Sequence, residues 1–215
     1  MNARNKNLYL YLILVFISMV LTFLFQKVLL TKNVYYNSLQ DQLDNSRIDQ
    51  LFDSQAKYAW FGYVVIPIWL LIKITIITLC LQAGIILQNI KLSFKKTFTI
   101  AITAEFVFLL SIFIKFFWFF FVKTNYTIAD VQQFYPISAL NLFDVKTISP
   151  LLVYPLQTLN IFEVLYWFIL AAGISQALKT DMDKGVRIVF VSYIPALVVW
   201  LCCVVFLTVN LTPAS

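Results

Sequence analysis

Residues 98–122 read FTIAITAEFVFLLSIFIKFFWFFFV, an apolar run closed by aromatic rings and broken by only two ionisable groups, Glu105 and Lys115. A bilayer core about 30 Å thick needs about 20 predominantly apolar residues in helical form to cross it. This run is long enough, and four others match it: Leu8–Leu30, Trp60–Gln88, Tyr154–Leu178 and Val186–Val209. Apolar residues make up 61% of the 215 and charged ones 12%, where a soluble domain carries about 25% charge. Such a chain cannot cover a water-facing surface. The sequence predicts an all-α integral membrane protein, one polytopic domain over 1–215 built as a five-transmembrane-helix bundle. Arg4 and Lys6 before the first run resemble the start of a signal peptide. Phe23, Leu24 and Phe25 stand where small residues would mark cleavage, so this segment is expected to remain as an anchor.

Direction follows from the loop cations. Arg4 and Lys6, then Lys91, Lys95 and Lys96, then Lys179, Lys184 and Arg187 crowd three short segments on one side. Lys32, Arg47, Lys57, Lys123 and Lys146 are spread over two much longer loops on the other. Basic residues in short loops stay in the cytoplasm, which predicts a cytoplasmic N-terminus and a C-terminus outside. Tyr58, Trp60, Phe61 and Tyr63 open the second span, and Trp118 to Phe121 close the third. Both clusters then fall at the outer interface, where amphipathic rings are favoured.

The outer loops, 31–59 and 123–153, are expected to carry amphipathic surface helices. Leu39, Leu43, Leu51 and Phe52 fall at helical spacing in a stretch without Gly or Pro. A helix broken near Asn45-Ser46 would lie along the membrane surface and run into the second span. Its apolar side would rest on headgroups or offer a docking surface to a partner protein. In the second loop, Thr127 and Ser138 each precede a short helical pattern, and Phe134, Tyr135, Leu140, Leu142 and Phe143 require burial.

Four charges fall inside the spans: Lys73, Glu105, Lys115 and Glu163. Each costs about 2.5–3.5 kcal/mol at the bilayer centre on insertion scales, so each needs a partner or a task. At 1.5 Å per residue, Glu163 lies about 12 Å and Lys115 about 10 Å below the outer edges of their spans. An interhelical pair between them is expected, with Lys73 reaching one of the glutamates. Such charges either fix helix register or form a proton or ion relay. Ala171, Gly173, Ser175 and Ala177 form overlapping small-xxx-small pairs for close helix approach. Pro67 and Pro195 are candidate kinks.

The missing chemistry is equally informative. There is no histidine, which excludes His general bases and His-ligated metals. Four glycines build no phosphate loop, and Cys80, Cys202 and Cys203 have no metal or redox spacing. No enzyme activity, cofactor or metal is expected, and the net charge of +6 is orientation charge rather than a nucleic-acid patch.

LNIFEVLYWFILAAGISQALK, residues 159–179, followed by a basic turn and a last apolar span, resembles the closing spans of the Yip family. These are five-span, Rab-interacting-type membrane proteins with bacterial relatives. An Asn-Pro-Phe-like start precedes a helix with a glycine in that family; Asn160, Phe162 and Gly173 hold those places here, with Ile161 where proline is common. SFKKTFTIAITAEF, residues 93–106, is similar to the start of the family's third span, and the likeness covers residues 92–208. It implies five spans and a cytoplasmic N-terminus. Eukaryotic members precede the first span with a long cytosolic segment where residues 1–7 stand here, so Rab binding is not implied. The expected role is a non-catalytic subunit or scaffold that binds membrane or periplasmic proteins in a bacterial inner-membrane complex. The alternative is a transporter or permease component with an intramembrane Lys/Glu relay.

Overall fold

A computed structural model describes residues 3–144 and 147–211, with side chains from Lys6 to Asn210. Lys146, counted above among the loop cations, and the side chain of Arg4 lie outside this description. The helices are α1 (Ala3–Leu24), α2 (Lys32–Leu39), α3 (Asn45–Leu87), α4 (Phe94–Phe117), α5 (Ile128–Gln133), α6 (Pro150–Thr158), α7 (Ile161–Leu178) and α8 (Met182–Leu211). Five helical segments are long and apolar enough to cross a bilayer: Lys6–Leu29, Asn45–Leu87, Phe94–Val122, Ile161–Leu178 and Met182–Asn210. The chain is a multi-pass, all-α protein. Among the described residues the only β pairing is an isolated bridge between Ser138 and Asn160.

α3, α4, α7 and α8 close a ring of pairwise contacts, and α1 packs outside it against α3 and α4. The ring is filled by Ile74, Ile77, Leu81, Ala101, Ile102, Leu170, Ile174, Ile188 and other buried apolar side chains. Small residues set the helix spacing. A Cβ on Gly185 of α8 would collide with the Ala171 carbonyl and the Ser175 hydroxyl of α7. One on Gly173 would lie 2.6 Å from Ile100 of α4. The overlapping small pairs of α7 therefore face two neighbours, α8 through Ala171 and Ser175 and α4 through Gly173, while Ala177 is half-buried beside them.

The turns at one end are short. Asn89 ends α3 and Lys179 ends α7 in left-handed conformation, with φ of 57° and 56°. The Thr180 N–H then bonds the Ser175 carbonyl, closing the last turn of α7. Asn7 near the N-terminus donates to the Lys95 carbonyl at 3.2 Å and accepts from Thr99 at 2.6 Å. The start of α1 thus shares this short-turn end with the start of α4.

The long-loop end departs from expectation in several respects. α3 runs unbroken from Asn45 to Leu87, about 64 Å at 1.5 Å per residue, roughly twice the bilayer core. Residues 45–59, expected to form a separate surface helix, are thus continuous with the second span. The break falls at Gln40–Asp44, where extended Asp44 occupies the N-cap position, and not at Asn45-Ser46. The fourth span begins at Ile161, because Leu159 and Asn160 leave helical geometry and separate α6 from α7. Of the apolar residues of 123–153, Leu140 is buried and Phe134 and Tyr135 are half-buried. Leu142, at 82% exposure, and Phe143 are not. Both Pro67 and Pro195 sit inside helices that remain continuous.

A second small core ties the loops to the bundle. α1 and α4 each end in a π-helical turn, Phe25–Leu29 and Trp118–Val122, and the two turns touch. Leu29, Val34, Phe119, Tyr126 and Val131 are buried there. Thr127 caps α5 reciprocally with Asp130, a capping box. Burial opposes the charge of Asp130, but the Lys123 ammonium at 2.6 Å and the Thr127 donors outweigh it and hold the carboxyl below its usual range.

Candidate functional site: a polar centre inside the bundle

Every helix of the ring contributes one or more polar side chains to its interior. Lys73 of α3 meets Glu105 of α4, Nζ to Oε2, at 2.9 Å. The second oxygen of Glu105 accepts from the Tyr166 hydroxyl of α7 at 3.1 Å. The Lys73 ammonium also lies 4.2 Å from the Phe108 ring centroid and 6.0 Å from that of Tyr166, a geometry in which ring faces stabilise a cation. Glu105 is 2% exposed, so its charge is compensated by the lysine and the phenol rather than by solvent.

Glu163 is placed differently. It occupies the first turn of α7, where its backbone N–H is capped by the Asn160 side chain at 2.9 Å. A carboxylate at a helix N-terminus interacts favourably with the helix dipole. Its Oε1 accepts from Trp167 at 2.9 Å and from Tyr193 of α8 at 2.7 Å. Among the described residues Oε2 has no donor and no cation forms an ion pair with Glu163, although it is only 5% exposed. The Tyr166 and Tyr193 rings stand 5.4 Å apart and link the two carboxylates through one aromatic step.

The expected Lys115–Glu163 pair does not form. Measured along the helices from the short-turn end, Lys115 lies about 31 Å up α4 and Glu163 about 22 Å up α7. The break at Leu159–Asn160 explains the error, since the fourth span starts lower than its apolar run suggests. Lys115 is half-buried with no carboxylate at ion-pair distance among the described residues. Lys73, Glu105 and Glu163 gather in one centre; Lys115 stands apart from it. By the same count Glu105 and Lys73 lie about 16 and 21 Å up their helices, near the middle of the bilayer.

Sequence reasoning missed the contribution of the second loop. Tyr135 lies within the electrostatic reach of Lys73, Glu163 and Glu105, and burial pushes its phenol up. The loop is held there by the Ala139 N–H on the Leu159 carbonyl at 2.8 Å and the Ile161 N–H on the Ile137 carbonyl at 3.2 Å. Those bonds satisfy backbone groups that the α6–α7 break would otherwise orphan. Ile137, with φ of 51°, absorbs the turn. The Ser138 hydroxyl at this junction is buried without a partner.

The chain matches no protein-family model, no curated protein and no solved structure. Among the described residues no group of His, Cys, Asp or Glu side chains could hold a metal ion.

Of the residues expected to dock a partner, Leu39 and Phe52 are half-buried, Phe52 edge-on to Tyr35 with centroids 5.4 Å apart. Leu43 and Leu51 are exposed.

Proposed function

We propose that this protein is a proton-coupled component of a membrane transport system, with Glu163 as the proton-binding carboxylate. The observation that carries this reading is the imbalance of the centre. Lys73 is committed to Glu105, while Glu163 is buried in the same ring with no cation of its own. Carboxylates inside a spanning bundle mark proton and ion pathways. The phenols of Tyr166 and Tyr193 supply exchangeable hydroxyls between the two acids, and Tyr135 extends the set toward the long-loop end. In this reading the basic turns face the cytoplasm of a bacterium and protons enter from the opposite side.

The test uses purified protein in vesicles under an imposed pH gradient, with a pH dye inside and carboxyl infrared bands recorded across pH. Glu163→Gln is expected to abolish protein-dependent proton movement and remove one titrating carboxyl band while the protein stays monodisperse. Unchanged flux and bands in Glu163→Gln defeat the proposal.

A second reading is favoured by the start of α3, which extends past the aromatic belt with Leu51 uncovered on it and Leu43 uncovered just before it. There the chain serves as a scaffold, and stoichiometric partners retained after gentle extraction, lost in Leu43→Glu/Leu51→Glu, support it.

A further inference from the structure

At the long-loop end a cleft of about 480 Å³ separates the end of α1 from the overhanging part of α3. Its origin is sequence-determined. Phe52, Ala56, Ala59 and Tyr63 recur at helical spacing on one face of α3, and the two alanines leave a slot that larger side chains would fill. Tyr63 closes the floor by donating to Gln26 of α1 at 2.9 Å. Phe23 and Trp60 form the lower walls and are largely uncovered, so the cleft opens sideways to acyl chains.

The rim is cationic. Lys27, in the π-helical turn, and Lys32 line the cleft with Gln26, Gln55 and Thr31, and no carboxylate is among the lining residues. Lys32 pairs with Asp49 at 2.8 Å, whereas Lys27 has no ion pair among the described residues. Lys27 lies about 31 Å along α1 from Lys6, the depth of the opposite headgroup layer. Tyr63, bonded to Gln26, and Trp60, in the same cleft as Lys27, mark that level on α3.

We infer that this cleft binds an anionic phospholipid, its phosphate held by Lys27, Lys32 and the amide donors and its chains laid against Phe23 and Trp60. Charge complementarity selects the occupant: a basic pocket between spanning helices at headgroup depth suits a lipid phosphate, and the lateral opening suits a molecule that arrives from within the bilayer. The inference is independent of the proton-coupled reading, since the cleft shares no residue with the polar centre.

Native mass spectrometry of protein in zwitterionic micelles titrated with phosphatidylglycerol tests it. Wild type is expected to retain phosphatidylglycerol in preference to phosphatidylcholine. Lys27→Gln, which breaks no internal ion pair, should weaken retention about fivefold, and Ala59→Leu should weaken it by filling the slot without changing charge. Lys57→Gln, off the cleft, should behave as wild type. Equal losses in Lys27→Gln and Lys57→Gln, or no loss in Ala59→Leu, would reduce the binding to general surface charge and overturn the assignment. Competition by soluble glycerol phosphate as effective as that by the lipid would also overturn it, assigning the cleft to a water-borne phosphate ester.

Discussion

At Gly185 the backbone of α8 approaches α7 so closely that a single methyl group meets a carbonyl oxygen, which cannot rotate away. Gly185→Ala is therefore expected to destabilise the folded bundle by about 1–3 kcal/mol, the usual cost of overpacking. Gly62 offers the contrast, since a Cβ there meets nothing within 4 Å. Gly62→Ala should be neutral or stabilising by about 0.5–1 kcal/mol, because glycine disfavours helix interiors. Thermal unfolding of both variants in detergent decides the point, and a Gly185→Ala protein as stable as wild type would contradict the packing described. The spacing of Ala171 and Ser175 advertised a flat helix face, but spacing on one helix is silent about what lies across it. Gly185 sat in a charged turn, where conformational freedom would have been the ordinary reason for a glycine. The same blindness separated Glu163 from its real partners: sign and depth suggested a lysine, whereas a phenol and an indole donate to one of its oxygens.

Asn160 holds the α6–α7 junction from both sides. Its side-chain oxygen accepts from Glu163, and its amide donates to the carbonyls of Gln157 and Thr158, each at 2.9 Å. Asn160→Ala is expected to cost about 0.5–2 kcal/mol through the lost cap, and to leave the end of α6 exposed as well. Asn160→Asp keeps the acceptor and loses the donors, so its stability should fall between alanine and wild type. Chemical unfolding of the three proteins in one detergent provides the ranking, and an aspartate variant equal to alanine would contradict it. This break was legible in part. Asn160 followed by Glu163 is the pattern of a helix start, yet the run from Tyr154 to Leu178 is apolar enough on average to carry across Gln157, Thr158 and Asn160. Hydrophobicity found the segment and concealed its division. The capped helix at Thr127 was legible because its capping residues stand in a polar context.

Over the whole molecule, the five crossings were legible because lipid demands long apolar helices and little else in a chain provides them. The overhang of α3 was not, since a polar, Gly-free stretch can extend a helix or lie on a surface with equal local propensity. In a background lacking Cys80, Cys202 and Cys203, single cysteines at Ser46 and Gln50 should react fully with an impermeant thiol reagent from one side. Cysteines replacing Lys91 and Lys184 should react only from the other. Labelling of all four from the same side would invalidate the fold as described. The bridge joining Ile137–Ala139 to Leu159–Ile161 also bears on biogenesis. Ribosomes synthesise the bonding strand before the segment it completes, so a nascent chain leaving the translocon already carries the partner for its own weak point. The fourth crossing, the shortest and least apolar of the five, can thus be sealed as it is delivered, without waiting for the last helix to arrive.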